Sequence, residues 1–125
     1  MTTHCVVVNY RTPEDLARFI ESWQEFGNDS SLTIVDVDPL EKFNAPTEAE
    51  YLLITENVGY GKACNIGATR RPYDCDIIAL FNADVKLTTN TISVCEKMLK
   101  ENADWGAVGP LQYSSTGVIT HGGIL

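Results

Sequence analysis

Short apolar runs without polar alternation limit this chain more than any other feature. Residues 4–9 (H-C-V-V-V-N) and 76–81 (D-I-I-A-L-F) carry apolar side chains at successive positions. Neighbouring residues of a strand point to opposite faces, so runs of this kind predict strands covered on both sides. Such strands belong to parallel sheets, whose crossover connections lay helices over each face. The 76–81 run is the most apolar and is expected at the centre of the sheet.

The segments between these runs have helical character. Thr12-Pro13-Glu14-Asp15 reads as a helix start, with a capping threonine, proline at the first helical position and acids at the positive end of the dipole. Leu16, Phe19, Ile20, Trp23 and Phe26 then recur at helical spacing, and Gly27 is a plausible terminator. Residues 32–36 and 51–55 predict a second and a third strand, separated by a polar loop containing Pro39 and Pro46. Residues 59–69 predict a short helix approached through a glycine turn. Thr89 or Asn90 is placed to cap a helix from 91 to about 102, with Ile92, Cys95, Met98 and Leu99 on one side. A further strand is expected over 105–109, then a hairpin pairing 111–113 with 118–120. The order β-α-β-β-α-β-α-β defines an α/β fold, a mainly parallel sheet with helices on both faces. A chain of 125 residues suits one domain, 1–125.

Ligands of such sheets sit outside the carboxyl ends of the strands. That rule gathers Asn9 and Tyr10, Asp36 and Asp38, Glu56 and Asn57, and Asn82 and Asp84. These are mostly carboxylates and carboxamides, without a serine–histidine or cysteine–histidine pair. They suit hard cations and the hydrogen-bonding edges of a base or ribose rather than acyl transfer. In F-N-A-D-V at 81–85, Asn82 and Asp84 point the same way if the segment is extended. Asp84 can then hold Mg²⁺ or Mn²⁺ bridging two phosphates. The competing reading is a plain Asx turn ending a strand.

In E-N-V-G-Y-G-K-A-C-N-I-G at 56–67, Gly59 and Gly61 let the backbone approach a ligand, Lys62 offers positive charge and Asn65 lies one turn on. Here the competing reading is a helix start whose glycines only permit tight packing. Glu56 and Ala63 break the Walker pattern, and Cys64 breaks the dinucleotide fingerprint. Asp36-Val37-Asp38 has the spacing of aspartate-nucleophile phosphohydrolases but lies on the second strand, with Leu40 where that motif continues to threonine or valine.

The net charge of −8 argues against a nucleic-acid-polymer binder, which needs a basic face. It also means that any bound polyanion needs a cation or aimed backbone amides. Cys5, Cys64, Cys75 and Cys95 follow no zinc spacing and are expected to be reduced structural thiols. No secretory signal and no apolar run long enough to span a membrane is visible, which leads to the expectation of a cytoplasmic protein.

Taken in order, V-V-V-N-Y at 6–10, I-V-D-V-D at 34–38, the 56–67 segment, A-L-F-N-A-D-V at 79–85 and G-A-V-G-P at 106–110 resemble family 2 glycosyltransferases of the GT-A fold. The resemblance is to the rhamnosyltransferase-like branch. It implies a Rossmann-like nucleotide-diphospho-sugar-binding fold and transfer of a sugar from a UDP- or dTDP-sugar to a glycan, lipid or protein acceptor, with inversion. Asn82-Ala83-Asp84 matches the D-x-D position, with Asp84 as the Mn²⁺ or Mg²⁺ ligand and Asn82 turned to sugar or ribose. Asp36 matches the acid that recognises the base, while Val37 and Asp38 depart from the usual D-N-x-S. Asn9 and Tyr10 match the loop closing over the nucleotide; Asn57, Gly59 and Asn65 match the donor-pocket segment, with Lys62 beside them. The family's catalytic carboxylate is expected beyond Leu125, so a non-catalytic nucleotide- or sugar-binding module is the alternative. His121 beside the last turn reads as polar surface, and a cut sheet edge points to a possible homo-oligomer.

Overall fold

The first strand sets the frame. In the computed structural model, which describes residues 2–121, β1 (Thr3–Tyr10) runs through the middle of a four-stranded sheet. After it come α1 (Pro13–Phe26), β2 (Ser31–Val37), β3 (Glu50–Ile54), α2 (Tyr60–Ala68), β4 (Ile77–Asn82), α3 (Thr91–Glu101) and a small hairpin of β5 (Gln112–Tyr113) and β6 (Ile119–His121). The sheet order is β3-β2-β1-β4 and every pairing in it is parallel. The fold is therefore α/β and Rossmann-like, as the apolar runs require.

Alternation within β1 builds two cores. Cys5 and Val7 face one side, where Leu16, Phe19, Ile20 and Trp23 of α1 cover them together with Leu32 and Ile34. Val6 faces the other side, packed with Val35, Val37 and Ala63 of α2. Each fully buried Leu or Phe of this kind contributes about 1.5–3 kcal/mol. The Phe19 and Phe81 rings, with centroids 5.1 Å apart, tie α1 to β4.

Several expectations fail, among them capping of α3, where Asn90 holds the N-cap position without a side-chain cap bond. The 76–81 run does not lie at the centre: β4 pairs only with β1, and Leu80 is exposed. Apolar composition reports contact with helices as well as strands, so it did not fix strand position. Residues 105–109 form no strand, because two glycines in five residues leave little to pack and no neighbour supplies a ladder; Trp105 is exposed there. Thr12 occupies the N-cap position but makes no capping bond, since its hydroxyl donates to Asn9 Oδ1 at 2.6 Å. The four cysteines are free thiols, two of them buried. The side chain of His121 lies outside the described residues.

Gly67 explains how closely α2 lies on the sheet. A Cβ at this position would sit 2.3 Å from Val6 Cγ1 and 3.0 Å from Val35 Cγ2, both on buried valines. Gly67→Ala should force helix and sheet apart and cost about 1–3 kcal/mol, read as a lower urea midpoint.

His4 is buried on β1 between two hydroxyls, with Nδ1 2.6 Å from Ser31 Oγ and Nε2 2.9 Å from Thr33 Oγ1. Burial lowers its pKa below the ordinary 6.5, only partly offset by the Gly67 carbonyl and the charge of Glu50. The unfolded chain thus takes up a proton near 6.5 that the folded chain accepts only at lower pH. Stability from neutral His4 is complete above that value and is lost as pH falls through it. Chemical denaturation of wild type and His4→Gln along a pH series should show the wild type losing more stability on acidification.

Candidate functional site

The chain steps outward from β1 to β2 to β3 and then returns through α2 to β4 on the far side of β1. The strand order reverses between β1 and β4. At such a point the connections diverge to opposite faces and leave a crevice above the carboxyl ends. A cleft of about 440 Å³ opens there, within the range of small-molecule sites. Val8, Tyr10 and Thr12 line it from the end of β1, Asn57, Gly59 and Tyr60 from the approach to α2, and Asn82 and Asp84 from the end of β4. Asp15, in the first turn of α1, completes the wall.

Local chemistry places these groups. Asn82 and Asp84 converge through a turn, not an extended segment: the Val85 amide donates to the Asn82 carbonyl at 3.2 Å. Asn57 Oδ1 accepts from the Gly59 amide at 3.0 Å, and Gly59 has φ 86°, a left-handed conformation suited to glycine. Tyr60 follows at the first position of α2. Burial, and then a hydrogen bond with Cys64, pushes its phenol up to about 12.

Beneath the rim lies a buried carboxylate. Asp36 is 1 % exposed and pairs in register with Asn9. Asn9 Nδ2 donates to Asp36 Oδ1 at 3.0 Å, and Tyr51 Oη donates to Oδ2 at 2.5 Å. Burial, and then the adjacent Asp36, pushes the Tyr51 phenol up to about 12, which keeps it protonated as a donor. Tyr51 Oη in turn accepts from the Phe43 amide at 3.2 Å, holding the loop between β2 and β3. Asp36 and Asn9 are absent from the lining of the cleft, although their chain neighbours Val37, Val8 and Tyr10 belong to it.

Asp38 and Arg11 stand at the outer ends of β2 and β1. Arg11 donates from Nε to the Asp38 carbonyl at 2.9 Å and from its terminal nitrogen to Asp38 Oδ2 at 2.8 Å. Both residues are left-handed, at φ 57° and 45°. For a residue with a Cβ this conformation costs roughly 1–2 kcal/mol. The Arg11 guanidinium lies 5.4 Å from the centroid of the Tyr10 ring.

The structure therefore brings Tyr10, Asn57, Gly59, Asn82 and Asp84 to one cleft and leaves Asn9, Asp36 and Asp38 outside its lining. Lys62 and Asn65, exposed on α2, are outside the lining. Tyr51, Tyr60, Asp15 and Arg11 were not singled out by sequence. Only Tyr51 left a signal, a phenol in an apolar strand that needs a polar partner.

No group of three or more His, Cys, Asp or Glu side chains among the described residues is arranged to hold a metal ion. The cleft does have Asp84, Asn82 and Asp15 among its lining residues. That oxygen set fits Mg²⁺ or Mn²⁺ bound through one or two carboxylates and completed by substrate phosphates and water.

An α/β sheet with its crevice at the reversal of strand order defines a Rossmann-like class of fold. Among solved structures, S. aureus TarS, determined over residues 1–349, shares this fold with a TM-score of 0.62. The match is 14 % identical, covers 82 % of this chain and spans 33 % of the TarS chain. No protein-family model and no curated protein sequence matches the chain.

The Asp36 network gives a direct test. Tyr51→Phe removes one donor from a buried carboxylate and frees the Phe43 amide. It should cost roughly 1–3 kcal/mol in urea unfolding without altering the secondary-structure spectrum.

Proposed function

We propose that this chain is the donor-binding part of a glycosyltransferase and that the cleft between β1 and β4 takes a nucleoside-diphosphate sugar. One observation carries the reading: Tyr10, Asn57, Asn82 and Asp84, which come from three separate segments of sequence, meet where the strand order reverses in a fold shared with TarS.

Each residue then has a task its chemistry suits. Tyr10 offers an aromatic face to a base such as uracil or thymine. Asn57 and Asn82 have amide donors and acceptors for ribose or sugar hydroxyls. Asp36 acts through Asn9 and Tyr51, fixing the end of β1 and the β2–β3 loop around the base. Asp84 holds Mg²⁺ or Mn²⁺. When bound, that cation neutralises the charge of the departing diphosphate. Transfer to a glycan, lipid or protein acceptor is proposed to invert the anomeric carbon. Asn82 in place of a first aspartate is the feature that favours the rhamnosyltransferase-like form of this reading.

With two acids and no basic side chain among the lining residues, the cleft should bind UDP or dTDP poorly without a divalent cation. Calorimetric titration should show affinity rising with Mn²⁺, and Asp84→Ala should remove roughly tenfold or more of it, a loss of about 1.4 kcal/mol. Equal affinity with and without Mn²⁺ would count against the reading.

A further inference from the structure

We propose that Arg11 is the side chain that receives the donor's diphosphate, and that Asp38 holds it ready at the mouth of the cleft. This rests on the cleft being a nucleoside-diphosphate site. The first ground is charge: Asp15 and Asp84 line the cleft and no basic residue does, so an entering diphosphate meets repulsion at the wall. Arg11 follows directly on Tyr10, which belongs to that wall, and its guanidinium lies over the Tyr10 ring at 5.4 Å.

The second ground is backbone conformation. Arg11 and Asp38 are both left-handed, at φ 57° and 45°, at adjacent strand ends. Strain of this sort persists only where the surroundings impose it, and it gathers at functional sites. Neither residue is part of a core cluster. The pair they form leaves their side chains 40 % and 38 % exposed, where an ion pair adds little stability. The strained geometry thus serves to present a guanidinium rather than to hold the fold together.

Geometry also decides which partner moves. The Asp38 amide is fixed to the Ile54 carbonyl at 2.6 Å, whereas Arg11 is held by Asp38 alone among the hydrogen bonds of the described residues. The N–H groups that serve the Asp38 carbonyl and carboxylate form a planar fork, which matches two phosphate oxygens equally well. Binding is an exchange: the guanidinium leaves one anion for another and keeps its hydrogen bonds.

The test is calorimetric titration, in Mg²⁺, of UDP and uridine, and of dTDP and thymidine, into wild type, Arg11→Gln, Arg11→Lys and Asp38→Asn, each checked for folding by circular dichroism. Arg11→Gln should weaken the diphosphate about tenfold, the loss of one charge-assisted contact. Arg11→Lys should fall between it and wild type. Asp38→Asn should tighten the diphosphate, because it removes the competing anion, and the bare nucleosides should bind all variants alike. The Asp38→Asn result decides even if Arg11→Gln does not fold. Weakening of diphosphate and nucleoside together in both variants would make the pair a structural clasp and overturn the proposal, as would an unchanged diphosphate affinity in Arg11→Gln. A wild type that binds none of the four ligands would instead remove the donor-cleft reading and this proposal with it.

Discussion

Parallel pairing is the constraint on which everything else in this molecule rests. A chain that must start every strand from the same edge has to travel back over the sheet between strands. Two of those return journeys are α1 and α2, which cover opposite faces of β1 and β2. The same constraint collects every strand's carboxyl end along one rim. Polar residues that would be costly inside the sheet find their place there, and reversal of strand order beside β1 opens the rim into a cleft.

Within that frame Asp36 acts as a knot. A carboxylate removed from water is tolerated only when hydrogen bonds replace its solvation. Here those bonds come from two neighbouring strands, through Asn9 on β1 and Tyr51 on β3. The knot extends further, since Asn9 Oδ1 holds Thr12 ahead of α1 and Tyr51 holds Phe43 in the β2–β3 connection. That connection is the one crossover in the sheet without a helix, so side-chain bonds do the anchoring that packing does elsewhere. Part of the apparatus around the cleft is thus positioned by residues that never touch its contents.

The sequence was most readable where a local pattern and a tertiary role coincide. Valines at 6–8 could only be a covered strand, and the spacing of Leu16, Phe19, Ile20 and Trp23 could only bury one helix face. Asn82 and Asp84 were found by their position after an apolar strand, although a turn rather than an extended segment unites them. What stayed hidden depended on distant partners. Asp36 and Tyr51 are fifteen positions apart and Arg11 and Asp38 are twenty-seven, and no local periodicity links either pair. The edge position of β4 was hidden for a related reason: hydrophobicity records that a strand is covered but not what covers it.

The bare contact at Gly67 has a consequence for how the cleft can change. Most helices rest on a sheet through a cushion of side chains that can rearrange when something shifts nearby. Around Gly67, α2 has no such cushion against Val6 and Val35. Tyr60 stands at the first position of the helix, on the wall of the cleft. A bulkier or smaller residue at position 60 therefore alters the space offered to a ligand almost atom for atom.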